Sequence, residues 1–359
     1  MWRARSSRSL IAKGEPYEDK QLYPYVMGDG IRIGRGSDDE TESSDRKRMR
    51  IQFRRTLRLA LLVLLAAPMA AAGVGAILGP LVLHPFHHAV TARRVAHAEQ
   101  VFSSLGAKKE DFQVQAPDGV VLRGWKVQPQ QPNGRWVLLL HGRSHNRSSR
   151  VVFAEFLLRA GYSVVMMDAR AHGESGGAFA TYGYLERRDS VAIVDALESS
   201  EKPAHIFALG ESMGAAVAVQ SAAIDPRIEA VVAEGTFQNL HEVMYDYAGF
   251  QGCVLLGKTL FRPAAMVAEF EAEKEGGFRF GDVSPERSIT ERKFPILLIY
   301  GLSDHKIPLR HSQSIYEAAI GPKELWLVPG ASHTKAIAAE PEEFRRRVLA
   351  FYASASAAN

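Results

Sequence analysis

From about residue 111 onward, short apolar, β-branched runs alternate with longer stretches of helical spacing. That alternation predicts an α/β domain: a mainly parallel, eight-stranded sheet with helices on both faces. Strands are predicted over 112–116, 120–127, 136–140, 162–167, 206–210, 230–234, 296–300 and 324–328. The first two straddle Pro117-Asp118-Gly119, a hairpin turn signal. The later runs are nearly all apolar, as strands covered on both faces must be. Helices are predicted at about 148–160, 184–198, 213–224, 308–319 and 341–353.

Upstream the pattern changes. Residues 1–55 show neither helical nor alternating periodicity and include the acidic patch Asp38, Asp39, Glu40, Glu42 and Asp45, which predicts a disordered tail. A transmembrane helix is predicted over 56–84. Leu59 to Leu83 carries no charge, and at about 1.5 Å per residue such a run crosses a hydrocarbon core of about 30 Å. Pro68, Gly73, Gly75, Gly79 and Pro80 weaken it as a helix in water but are tolerated in a bilayer. A linker helix over 85–109 and a globular domain over 110–355 complete the organisation.

Charge sharpens the membrane reading. The 359 residues are 46% hydrophobic with a net charge of +4, but Arg46, Lys47, Arg48, Arg50, Arg54, Arg55 and Arg58 crowd against one end of the apolar run. This flank predicts a single-pass protein with its N-terminus in the cytoplasm and the domain on the other side. No helix-turn-helix, zinc-finger or aromatic RNA-binding signature accompanies the basic cluster, so nucleic acid is not an expected partner. The alternative is export: with a start at Met49, Leu59–Ala67 becomes the apolar core of a signal peptide and Ala70-Ala71-Ala72 its cleavage site. Cys253 is the only cysteine, which excludes an internal disulfide and any CxxC motif. Its apolar neighbours predict a packing residue.

The chemistry gathers at strand ends. Gly210-Glu211-Ser212-Met213-Gly214 follows a buried strand and opens a helix. So tight a turn needs positions almost free of side chain on either side, and it lifts the serine hydroxyl clear at a helix N-terminus. A serine hydroxyl is a poor nucleophile until an imidazole takes its proton and a carboxylate orients that imidazole. The strand at 296–300 runs out into Asp304, and the strand at 324–328 into His333, giving the order Ser, Asp, His. Taken singly, Asp304 could merely cap the following helix and His333 could be a surface-loop histidine. Oxyanion donors are expected from the backbone N–H of Met213 and of Arg143, which follows His141-Gly142 at the end of another strand. His141 and the charged residues of Asp168–Ser175 are expected to brace their loops.

With these residues assembled, the chain resembles the α/β-hydrolase superfamily, in particular its serine-aminopeptidase-like and monoacylglycerol-lipase-like group with membrane-anchored members. The resemblance covers about 110–353 and rests on the His141-Gly142 loop, the Asp168–Ser175 stretch, the GESMG turn, Gly301–Asp304 and Gly330–His333. It implies Ser212 as nucleophile, Asp304 as acid, His333 as base and a helical lid inserted over about 237–293. Two departures stand out. Ala171 replaces a usual glycine, and Arg143-Ser144 puts a cation where small or amide residues are common.

In the lid, Phe237, Tyr245, Tyr247, Phe250, Leu255, Leu256, Leu260 and Phe261 are expected either to cover an apolar acyl substrate or to pack the lid onto the domain. The implied reaction is hydrolysis of a carboxylic ester of a small acyl substrate, with no metal or organic cofactor. The same machinery also serves thioesterases, amidases, aminopeptidases and acyltransferases. A catalytically silent, membrane-tethered binding protein is the alternative from another class.

Overall fold

The computed structural model describes residues 38–84, 86, 88–248, 259 and 261–358. They fall into two compact units, the first ending at Leu61 and the second running from Leu62.

The first element is one helix, α1 (Asp38–Leu83), with Pro68 and Pro80 inside it. It begins earlier than expected: the acidic patch from Asp38 lies on helical backbone, not in a disordered tail. Glu, Lys and Arg are good helix formers, and extending an existing helix costs far less than nucleating one. Ser44–Leu83 is long and apolar enough to cross a membrane, and only 6% of its most apolar window is buried. A buried core helix would show the reverse, although a signal sequence passes the same test.

Helix α2 (Ala92–Ser104) is capped by the Thr91 hydroxyl, which accepts the Arg94 N–H at 3.4 Å. Strand β1 (Lys108–Gln115) starts before its apolar signal, because it is an edge strand whose outer positions are solvated. It forms an antiparallel hairpin with β2 (Val121–Gln128) through the predicted turn. The others are β3 (Arg135–Leu140), β4 (Ser163–Met167), β5 (His205–Glu211), β6 (Ile228–Glu234), β7 (Ile296–Gly301) and β8 (Lys323–Val328). They build one eight-stranded sheet in the order β1-β2-β4-β3-β5-β6-β7-β8, parallel except for the pairings of β2.

Side chains alternate across the sheet, so neighbours on one strand feed opposite cores. Leu139, Leu209 and Ile299 pack with α2, α3 (Val151–Arg159) and α11 (Pro341–Ala358). Leu138, Ala208 and Leu298 pack with α4 (Glu186–Glu201), α5 (Met213–Ile224), α8 (Pro285–Glu291) and α9 (Leu309–Ala318). Helix α10 (Ala336–Ala339) is a single turn after β8. A third cluster at the carboxyl edge joins Leu83 of α1 to Tyr182, Met213, Phe237 and Phe280. The connection between β6 and β7 holds α6 (Leu240–Ala248) and α7 (Arg262–Gly276), the helical insertion that the resemblance implied. Cys253, Phe250, Leu255, Leu256 and Leu260 lie outside the described residues.

Candidate active site

Ser212 stands between β5 and α5 with φ 53° and ψ −117°, a backbone conformation that L-residues rarely adopt. The two flanking glycines are required by contact. A Cβ on Gly210 would collide with the Gly214 carbonyl, and one on Gly214 with that of Leu140. The Ser212 N–H donates to the Glu234 carbonyl (2.8 Å), which fixes the turn to β6. That bond occupies the serine's own N–H, whereas Met213 opens α5, where N–H groups have no acceptor within the helix.

His333 and Asp304 meet Ser212 from the ends of β8 and β7. His333 Nε2 lies 3.0 Å from Ser212 Oγ, and His333 Nδ1 lies 2.7 Å from Asp304 Oδ2. With a carboxylate at Nδ1, that nitrogen carries the proton, and Nε2 is left to accept the serine O–H. The two oxygens of Asp304 face different partners, and neither caps the following helix, whose N-cap is Pro308. Oδ2 faces the imidazole, while Oδ1 accepts the N–H groups of Lys306 (2.8 Å) and Ile307 (3.1 Å) and so shapes the entry to α9.

The His333 loop is held from below by Glu234, whose Oε1 accepts the Ala336 N–H at 2.8 Å. Burial, reinforced by the neighbouring Glu211 carboxylate, pushes the Glu234 carboxyl up to about 8. Glu211 itself is ion-paired with the buried Arg150. Gly235 leaves room for the ring: at φ 62°, a Cβ there would lie 3.2 Å from His333 Cε1. Sequence reading passed over Glu234, Gly235 and Arg150. A charged residue closing an otherwise apolar strand, as Glu211 and Glu234 do, was the available signal.

The loop after β3 lies against the nucleophile, since a Cβ on Gly142 would come 3.4 Å from Ser212 Cβ. His141 braces it. Its Nε2 accepts the Ala169 N–H (2.9 Å), so Nδ1 carries the proton and donates to the Gly142 carbonyl (2.9 Å). Complete burial holds this imidazole well below its usual range, in the neutral form that the pattern needs. Asp168 is likewise structural, paired with Arg147 and accepting the N–H groups of Arg147 (2.7 Å) and Glu174 (2.8 Å). The Arg143 guanidinium donates to the Leu81 carbonyl of α1 at 3.1 Å. Within the second unit, the segment following α1 is also stitched to this loop, as His88 N–H donates to the Ser144 carbonyl at 3.1 Å.

Beside Ser212 lies a cavity of about 440 Å³, within the roughly 300–1,000 Å³ usual for small-molecule sites. Phe237, Tyr247 and Phe261 line it, as do Met213 and Arg143. Tyr245 does not. Its hydroxyl donates to Glu269 at 3.3 Å, tying α6 to α7.

A family model described as serine aminopeptidase, S33, matches residues 131–273, a stretch that includes Ser212 and stops short of Asp304 and His333. The uncharacterized protein YqkD of Bacillus subtilis is 25% identical over 272 residues, covering 73% of this chain and 85% of its own length. The uncharacterized protein YfhR of Escherichia coli is 26% identical over 253 residues, covering 68% and 81%. Among solved structures, the Pyrococcus furiosus esterase Pf2001 is similar with a TM-score of 0.59 at 26% identity, covering 75% of this chain and 95% of its own. A second crystal form of that esterase gives 0.58 at 28%, covering 70% and 93%. Similarity by sequence and likeness by fold thus point the same way, and the chain has the α/β-hydrolase fold.

Proposed function

We propose that this is a membrane-anchored serine hydrolase that cleaves a carboxylic ester through an acyl-enzyme. Ser212 Oγ attacks the acyl carbonyl carbon while His333 Nε2 takes its proton, and Asp304 orients the ring and stabilises the imidazolium. The N–H groups of Met213 and Arg143 receive the oxyanion. On collapse the ester C–O bond breaks, and the proton on Nε2 passes to the leaving alkoxide. Water then gives a proton to Nε2 as it attacks the acyl-enzyme, the acid departs, and Ser212 regains its hydrogen.

The observation that carries this reading is the unbroken hydrogen-bonded chain Asp304, His333, Ser212 at the rim of the cavity. The described cavity lining is apolar apart from Arg143, Ser212 and two tyrosine hydroxyls, and has no carboxylate to hold a substrate ammonium. That composition favours an apolar acyl group over a peptide amino terminus. The long exposed apolar helix and its basic flank support a span with the N-terminus in the cytoplasm and the hydrolase domain outside it.

A fluorophosphonate probe is expected to label the full chain, and Ser212→Ala to abolish the label and lower ester turnover by about 10⁴-fold or more. An unlabelled chain beside a labelled control hydrolase would favour a binding scaffold. Comparing esters of graded acyl length with aminoacyl amides separates esterase from aminopeptidase.

A further inference from the structure

The cavity beside Ser212 has a wall that the hydrolase domain does not itself supply. Val74, Leu78, Leu81 and Val82, from the last turns of α1, face it together with Ala264 and Ala268 of α7. The two helices meet along a seam of small residues. A Cβ on Gly75 would collide with the Ala264 carbonyl oxygen, and one on Gly79 would lie 2.9 Å from Glu271 Cβ and 3.1 Å from the Ala268 oxygen. Glycines four residues apart let helix backbones approach this closely, which is how helices associate where lipid removes the hydrophobic driving force. The contacts advance in step: Gly75 meets Ala264, Gly79 meets Ala268, and Leu83 meets Gly276. Helix α7 therefore runs alongside α1 in the same direction.

Along that shared direction the chemistry of α7 changes. Its first turns read Arg262-Pro263-Ala264-Ala265-Met266-Val267-Ala268, and its later turns carry Glu269, Glu271, Glu273 and Glu275. At the apolar level both helices turn large hydrophobic side chains outward, with Ile77 73% and Met266 51% exposed. Val74 and Leu78 belong to the cavity wall and are also about half exposed, at 49% and 47%, so they form its lip. An apolar lip and collar are costly in water and cost nothing in hydrocarbon.

We propose that this lip opens into the bilayer that α1 crosses, and that the substrate is a lipid of the leaflet on the domain's side, whose acyl chain enters the cavity sideways past Val74 and Leu78. This rests on the membrane span and the serine hydrolase proposed above, and names the substrate class of that site. The Gly75–Gly79 seam seats α7 so that the two helices wall the acyl chain together. A chain entering from lipid is already out of water, so selection falls to the shape of the lip.

The test uses the full chain reconstituted in phosphatidylcholine vesicles, with p-nitrophenyl palmitate dissolved in the bilayer and p-nitrophenyl acetate in the water. The palmitate-to-acetate rate ratio is expected to fall at least tenfold in Leu78→Trp, which fills the lip, and in Gly75→Leu, which lifts α7 from its seat. Ile77→Trp, on the outward face of the same turn, is expected to keep the ratio within twofold. A ratio unmoved in Leu78→Trp overturns the proposal, as does palmitate cleaved as fast from albumin as from vesicles. Should Gly75→Leu lose fluorophosphonate labelling and both rates together through misfolding, Leu78→Trp decides alone. Absence of label and of both activities in the unaltered chain removes the hydrolase reading, and this proposal with it.

Discussion

Among the non-glycine residues that hold positive φ, Ser212 and Ala171 do so for different reasons. At Ser212 (φ 53°) the strain aims the hydroxyl out of the sheet and at His333. Ala171 (φ 56°) aims nothing; its N–H donates to the Gly176 carbonyl (2.8 Å) and its methyl only adds the left-handed penalty. Ala171→Gly is therefore expected to stabilise the domain by about 1 kcal/mol, read as a rise in Tm of roughly 2–4 °C at unchanged turnover. Glu234 yields a prediction with a definite sign. An unfolded carboxyl ionises near 4.5, but the buried one keeps its proton up to about 8, so the folded chain binds the extra proton between these values. The contribution of this group to stability is thus full below about 4.5, is lost as pH rises toward about 8, and is constant above. Glu234→Gln keeps an acceptor for the Ala336 N–H without the charge. Its Tm should gain on the parent steadily from pH 5 to pH 8, and a gap independent of pH would contradict this account.

At the scale of elements, the end of α1 is fastened by bonds that no local pattern announces. The last carbonyls of a helix have no donors within it, and the second unit supplies three. Arg143 donates to Leu81, Tyr182 O–H to Val82 (2.6 Å), and Ala180 N–H to Leu83 (2.9 Å). Tyr182→Phe leaves the Val82 carbonyl unmet in a mostly buried place and is expected to cost about 1–2 kcal/mol in thermal unfolding. What the sequence made legible here were features with short-range causes. Strand runs, the GESMG turn and the exits of β7 and β8 into Asp304 and His333 each carry their signal within a few residues, and all three side chains converge. The fastening of α1 stayed hidden because its partners lie 62 and 100 residues downstream. Gly75 and Gly79 were visible, yet they read only as weak points in a helix, since the Ala264 and Ala268 that give them meaning belong to the distant insertion. Arg143 was visible as a cation beside the site, but its hydrogen bond to Leu81 was not.

For the molecule as a whole, the deciding question is whether the apolar run stays attached. If it anchors the chain, the membrane fraction should resist carbonate extraction, and its N-terminus should map upstream of Leu59. A mature N-terminus near Gly73 would instead make the protein an exported one. Either outcome bears on the close fit at Gly75 and Gly79. A span that only tethers can drift in sequence as long as it stays greasy, whereas one shaped to berth a neighbouring helix cannot. If the run anchors the chain, a generic leucine-rich segment grafted in its place would still reach a membrane, but the cavity beside Ser212 would be missing a side.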